Sequence, residues 1–179
     1  MEARASDAAY AAIKTWIQLA QVPPGSLIYE DEAARRLTMS RTPVREALLR
    51  LQSEGFVEIG RGKGIRVVPL SASDMRDIYQ VITGIEVVAV SLLGARCTKR
   101  EDLASVVAAT SEMERALVAG EVDRWREADE CFHRELMRLS GNPRLHAIGA
   151  QLRDFVQRAH MVAVRLQGDA LLRNGYVLA

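Results

Sequence analysis

The sequence predicts a mainly α protein: three helices plus a β-hairpin over residues 1–70, then an all-α antiparallel helical bundle over residues 71–179. Three observations carry this. Apolar residues recur at helical spacing from Tyr10 to Ala20, again from Val44 to Leu51, and through most of the chain beyond residue 72. Period-two alternation is confined to "FVEIGRGKGIRVV", Phe56 to Val68. Ala, Leu, Val, Arg and Glu dominate while aromatics make up 5%, a composition that favours helix.

The elements follow in order. Tyr10, Ile13, Trp16, Ile17 and Ala20 lie on one side of a first helix through "AAYAAIKTWIQL", which "VPPGS" stops, since consecutive prolines exclude helix. Glu30 to Leu37 form a second helix, with acids in its first turn and arginines in its last, as the macrodipole favours. The third lies within "SRTPVREALLRLQSEGF" (Ser40 to Phe56). Its Val44, Ala47, Leu48 and Leu51, at i, i+3, i+4 and i+7, must face a core, and Pro43 is expected to fix where it begins. A β-hairpin follows, with the basic, glycine-rich tip Arg61-Gly62-Lys63-Gly64. Ser71 and Asp74 have capping-box spacing, and helices are expected over 72–96, 99–119, 122–139 and 143–167. Gly141 marks a helix stop; Asn142-Pro143 reads as an N-cap followed by proline at the first helical position.

With 49% apolar and 26% charged residues, the chain is of ordinary globular composition. Its 179 residues make one large domain or two small ones. Cys97 and Cys131 have neither disulfide-framework nor zinc-finger spacing and are expected to be reduced, buried thiols. No N-terminal segment has signal-peptide layout, and the longest apolar run, "IEVVAVSLLGA", is shorter than a bilayer requires. A soluble, cytoplasmic protein without a membrane partner is expected.

The net charge of +1 hides a local bias. Between Thr38 and Val68, Arg41, Arg45, Arg50, Arg61, Lys63 and Arg66 stand against only Glu46, Glu54 and Glu58. Arginines at a helix N-terminus oppose the helix dipole, so a chain that carries them there has an external anion to meet. Nucleic acid fits: phosphate suits the unpaired helix-end N–H groups, and Arg reads guanine edges bidentately. The bland alternative for any one of these charges is a solvated face. Their coincidence with a three-helix unit and a basic hairpin tip favours DNA.

In the bundle, "VDRWREADECFHRELMRL" has Trp125, Phe132, Leu136 and Leu139 on one face, with Asp129 and His133 on the same face, four residues apart. Glu130 and Arg134 pair on a more exposed side. Asp129 and His133 at this spacing can hold one divalent metal of the Zn, Ni or Mn class, or can simply hydrogen bond to each other. Cys131 points away from both.

"PPGSLIYEDEAARRLTMSRTPVREALLRLQSEGFVEIGRGKGIRVV" resembles the winged helix-turn-helix domain of the GntR family of bacterial transcription regulators, whose signature is "SRTPVREAL.RL..EG". The remainder, through "DECFHRELMRLSGN", resembles the FCD effector domain of the FadR subfamily, shortened at its C-terminus. The resemblance implies a repressor: a homodimer on double-stranded palindromic operator DNA, recognition helix in the major groove, released by a small organic-acid effector in the helical domain. Arg41, Thr42 and Arg45 would be the main DNA contacts, supported by Ser40, Arg61, Gly62 and Lys63. Many FCD domains bind metal through this Asp and His plus two later histidines, which lie beyond the equivalent of residue 179; His146 and His160 do not match those positions. Trp125 and His160 are candidates for the effector pocket. Where the family often has an effector-binding arginine, Ile82 and Thr83 stand. Two other readings remain: a DNA-binding dimer whose sensor no longer responds to ligand, and a metal-dependent enzyme built on Asp129 and His133. Against the enzyme, no Ser or Cys nucleophile stands beside a base.

Overall fold

A computed structural model describes residues 2–60, 64–96 and 99–167. The protein is mainly helical, with one small antiparallel sheet. Its described residues divide into two compact units: residues up to 72 together with the last turns of the final helix, 158–167, and residues 73–157.

The first unit holds α1 (Glu2–Gln18), β1 (Leu27–Ile28), α2 (Glu30–Leu37), α3 (Arg41–Ser53), β2 (Val57–Ile59) and β3 (Ile65–Val67). Its core is the packing of α1 on α3: Ala9, Ile13 and Ile17 from one, Val44, Ala47, Leu48 and Leu51 from the other, all buried. Trp16 stays half-buried beneath the Arg36 guanidinium, 4.0 Å from the ring centroid. At the far end of α3, Tyr10 donates to Glu54 at 2.7 Å and Lys14 pairs with the same carboxylate at 3.2 Å.

Two local features differ from the sequence expectation. Pro43 is the third helical residue of α3, not the first; any first-turn position suits it, since those N–H groups lack intrahelical partners. The hairpin is also a three-stranded sheet, ordered β1-β3-β2, with Leu27 opposite Arg66 and Glu58 opposite Arg66 on the other side. β1 has two residues, too few for an alternation to register. The hairpin tip residues Arg61, Gly62 and Lys63 lie outside the described residues, as does Cys97.

Arg158 belongs to the first unit and is fully buried. It donates to the Val68 carbonyl. Burial lowers its pKa to about 10, which leaves it charged at neutral pH.

The second unit holds α4 (Ala72–Arg96), a 3-10 turn (Arg100–Leu103), α5 (Ala104–Ala119), α6 (Val122–Leu139) and the first part of α7 (Pro143–Gln167). Its core joins Ala89 and Leu93 of α4, Leu136 and Met137 of α6 and Leu145 of α7. Gly149 lets α7 approach closely: a Cβ there would stand 2.0 Å from Met137 Sδ. The turn between α6 and α7 follows its sequence signals. Gly141 takes the left-handed conformation at φ +69°, and Asn142 Oδ1 accepts from the N–H groups of Arg144 and Leu145, both at 3.1 Å. Cys131 is exposed, contrary to expectation, because it lies on the outer side of α6. α4, 25 residues long with an 18-residue window of mean hydropathy 1.7, is long and apolar enough to cross a bilayer by length and composition, unlike its central run alone.

Leu48 is wholly buried between α1 and α3. Leu48→Ala should cost about 2–5 kcal/mol of the first unit's stability, seen as a lower urea midpoint in far-UV circular dichroism. A change below about 0.5 kcal/mol would contradict this packing.

Candidate nucleic-acid interface and buried ionic cluster

The stripe that buries α3 fixes its rotation, so the residues between must face outward. Arg41, Thr42 and Arg45 are exposed in its first turns, with Ser40 exposed just before. Ser40 is the N-cap, with extended backbone (φ −69°, ψ 165°), and its hydroxyl makes no capping bond. The first-turn amides of α3 have no intrahelical acceptors, and no acid sits in that turn to compensate the dipole. The turn from α2 pivots on Thr38, a β-branched residue held at φ +55°; such backbone strain persists only where surrounding structure imposes it.

Arg41 Nε lies 2.6 Å from Asp31 Oδ1, with the two side chains 72% and 55% exposed. An ion pair this open contributes about 0–1 kcal/mol and yields easily to a competing anion. Arg45 has no ion-pair partner among the described residues. Arg66, at the middle of β3, is also exposed beside Glu58. The arrangement is a rigid, donor-rich helix end suited to phosphate oxygens and base edges.

In the second unit, Asp129 and His133 are brought together on α6, with His133 Nε2 3.5 Å from Asp129 Oδ1. The sequence reading missed their other partners. Arg153 on α7 donates to Asp129 at 2.7 Å and to Glu130 at 3.0 Å. Arg134 joins Glu130 to Asp154, reaching the latter at 2.8 Å. The Glu130–Arg134 pair is thus part of a mostly buried network and not an exposed pair. His133 Nδ1 lies 2.7 Å from Glu86 Oε1 of α4, an ion contact whose angle is too poor for a hydrogen bond. The Phe132 ring meets His133 edge-on at 5.1 Å. Trp125 is half-buried in this unit; His160, also half-buried, falls in the α7 turns that group with the first.

Burial works against a charged His133, but Asp129 and Glu86 outweigh it and push its pKa up to about 9. Burial likewise opposes the charge of Asp129, yet His133 and Arg153 hold its carboxyl below the usual range. These residues do not fit a divalent metal. Asp129 already neutralises a guanidinium, His133 is held as an imidazolium while a metal requires neutral imidazole, and no three His, Cys, Asp or Glu side chains among the described residues form a metal-holding group.

Residues 5–67 match the bacterial regulatory proteins of the gntR family, and residues 77–174 match the FCD domain. An HTH-type transcriptional regulator from the TAR-I ttuE-ttuC′ intergenic region of Agrobacterium vitis is 42% identical over 132 residues, 73% of this chain and 77% of that protein. The Nta operon transcriptional regulator of Aminobacter aminovorans is 38% identical over 68% of this chain, which spans 57% of that relative's length. Among solved structures, McbR/YncC of Escherichia coli superposes with a TM-score of 0.77 over 94% of this chain and 79% of its own, at 22% identity, a likeness of fold.

The raised pKa of His133 sets a stability window. Its imidazolium contributes fully below the ordinary value of 6.5, and the contribution is lost as pH rises through about 9. Between pH 6.5 and 9.5 the second unit should lose on the order of 1–3 kcal/mol in urea titrations, a loss that His133→Gln abolishes. An equal pH slope in the variant would contradict the assigned ion contacts.

Proposed function

We propose, for a chain that belongs to the gntR family of bacterial regulatory proteins and carries an FCD domain, that it is a cytoplasmic DNA-binding repressor. In this reading residues 1–70 form the DNA-binding head and residues 71–179 the effector-binding and dimerisation domain. The partner is a double-stranded palindromic operator, bound by a homodimer, with release by a small organic acid in the helical domain. The observation that supports it most is the exposed N-terminus of α3, where Arg41, Thr42 and Arg45 stand on a helix locked from behind by Val44, Ala47, Leu48 and Leu51.

Ser40 and the open first-turn amides would seat a phosphate, Arg41 would leave Asp31 for the backbone, and Arg45, deeper along the helix, would reach a base edge. Arg61, Gly62 and Lys63 would add backbone contacts from the hairpin. An effector acts by binding one arrangement of the two heads better than another, and only that difference in affinity drives release. Asp129 and His133 are each already paired, with Arg153 and Glu86, so effector binding in this reading proceeds without a metal. The relatives above are named as regulators, which favours a binding protein over an enzyme built on Asp129 and His133.

Operator fragments from the DNA flanking its gene give the test. Arg45→Ala should weaken binding by about 1–3 kcal/mol and relax preference at one base position. Arg41→Ala should weaken binding to all sequences alike and reduce the slope of log K against log salt by about 1. If both variants bind as the unmutated chain does, the DNA-binding reading fails. Asp31→Asn frees Arg41 and should tighten binding a few-fold at low salt; weaker binding would show that Asp31 positions Arg41.

A further inference from the structure

The outward side of α3 carries one residue that its charges do not explain. Leu49 is 49% exposed. Its neighbours one turn away on either side, Arg45, Glu46, Gln52 and Ser53, are all polar and all exposed, so no apolar side chain of α3 covers it. A single exposed leucine is ordinary on a protein surface. The place of this one is not. At about 100° per residue, Leu49 lies within roughly 30° of the direction opposite the stripe of Val44, Ala47, Leu48 and Leu51. The packing that turns Arg41, Thr42 and Arg45 outward therefore turns Leu49 outward with them. Thr42, Arg45, Glu46 and Leu49 stand at i, i+3, i+4 and i+7, the spacing by which one helix laid in a major groove reaches successive base pairs.

We propose that Leu49 is a specificity-determining residue that reads the 5-methyl group of a thymine. The inference rests on the DNA-binding reading above and adds a second read position to that of Arg45. The chemistry selects this partner. The nitrogens and oxygens on the major-groove edge of the bases donate or accept hydrogen bonds, and the thymine methyl is the apolar group among them. Leucine has no hydrogen bond to give. A phosphate oxygen, or the polar edge of another base, would lose water against it and gain nothing in return. Against a thymine methyl both surfaces leave water, a gain of the size of burying one methyl group.

The helix rise gives the position. Leu49 lies four residues beyond Arg45, roughly 6 Å along the axis, which is about two base-pair steps. The thymine is thus expected within about three base pairs of the base that Arg45 reads.

Uracil tests this, since it keeps every hydrogen-bonding group of thymine and lacks only the methyl. Operator fragments carrying uracil in place of thymine, one position at a time, are titrated with the full unmutated chain and with Leu49→Ala, by fluorescence anisotropy at fixed salt. Alanine is the better helix former and the site is exposed, so the variant is expected to fold. For the unmutated chain, uracil at one position near the Arg45 base should weaken binding about three- to five-fold. Leu49→Ala should abolish that penalty and leave the slope of log K against log salt unchanged, because no phosphate contact is lost. An unmutated chain with no uracil penalty within about three base pairs of the Arg45 base overturns the proposal. So does a Leu49→Ala chain that keeps the full penalty, whatever its affinity, since Leu49 then supports α3 without reading a base. The two readings separate. If Arg45→Ala weakens binding while uracil is silent everywhere, the regulator reading stands and the Leu49 assignment falls. If the unmutated chain binds no operator fragment, both fall.

Discussion

The apolar contact between α1 and α3 is the constraint on which the first unit depends. Ala9, Ile13 and Ile17 meet Val44, Ala47, Leu48 and Leu51 in a seam with no solvent access. Burial of this kind stabilises by about 1.5–3 kcal/mol per large side chain, more than any surface charge pair in the unit supplies. It therefore decides how α3 is rotated. Once the stripe faces inward, Arg41, Thr42 and Arg45 have nowhere to point but outward. The dipole cost of arginines at that end is small beside the burial, about 0.3–1 kcal/mol each, so the fold tolerates a charge arrangement that only an external anion rewards.

The second unit is governed by a different balance. Glu86, Asp129, Glu130 and Asp154 are held against His133, Arg134 and Arg153 across three helices. Such a network adds little net stability over an apolar core, but loss of one member leaves a buried charge uncompensated and costs about 3–5 kcal/mol. Its effect is to set which helices face one another. Arg153 supplies the positive charge that balances Asp129, and this makes the cluster a structural lock with a pH-sensitive member.

What the sequence made legible follows from local physics. The helix stop at Gly141, the Asn142 cap and the stripe of α3 are set by residues within one or two turns, so spacing alone reveals them. Partners across helices are not encoded that way. Nothing in the spacing of Asp129 and His133 points to Arg153 or Glu86. The available signal was Glu86 itself, a lone acid inside "IEVVAVSLLGA", which had to find a positive neighbour. β1 escaped because two residues carry no period, and Cys131 was assigned to the core from residue type although its place two positions from Asp129 and His133 turned it outward. The exposed faces of α4 are legible only in three dimensions, because an apolar run looks the same whether one side or every side is covered.

The central claim is that α3, locked from behind by its apolar stripe, presents its open N-terminal turn to DNA. Amide hydrogen exchange of the full chain, with and without operator DNA, tests this most directly, since first-turn amides without intrahelical acceptors exchange quickly in the free protein. The account predicts that DNA slows exchange in the segment from Thr38 to Ala47 and leaves the buried turns of α1 around Ile13 unchanged. Protection elsewhere, with Thr38 to Ala47 unaffected, would contradict it.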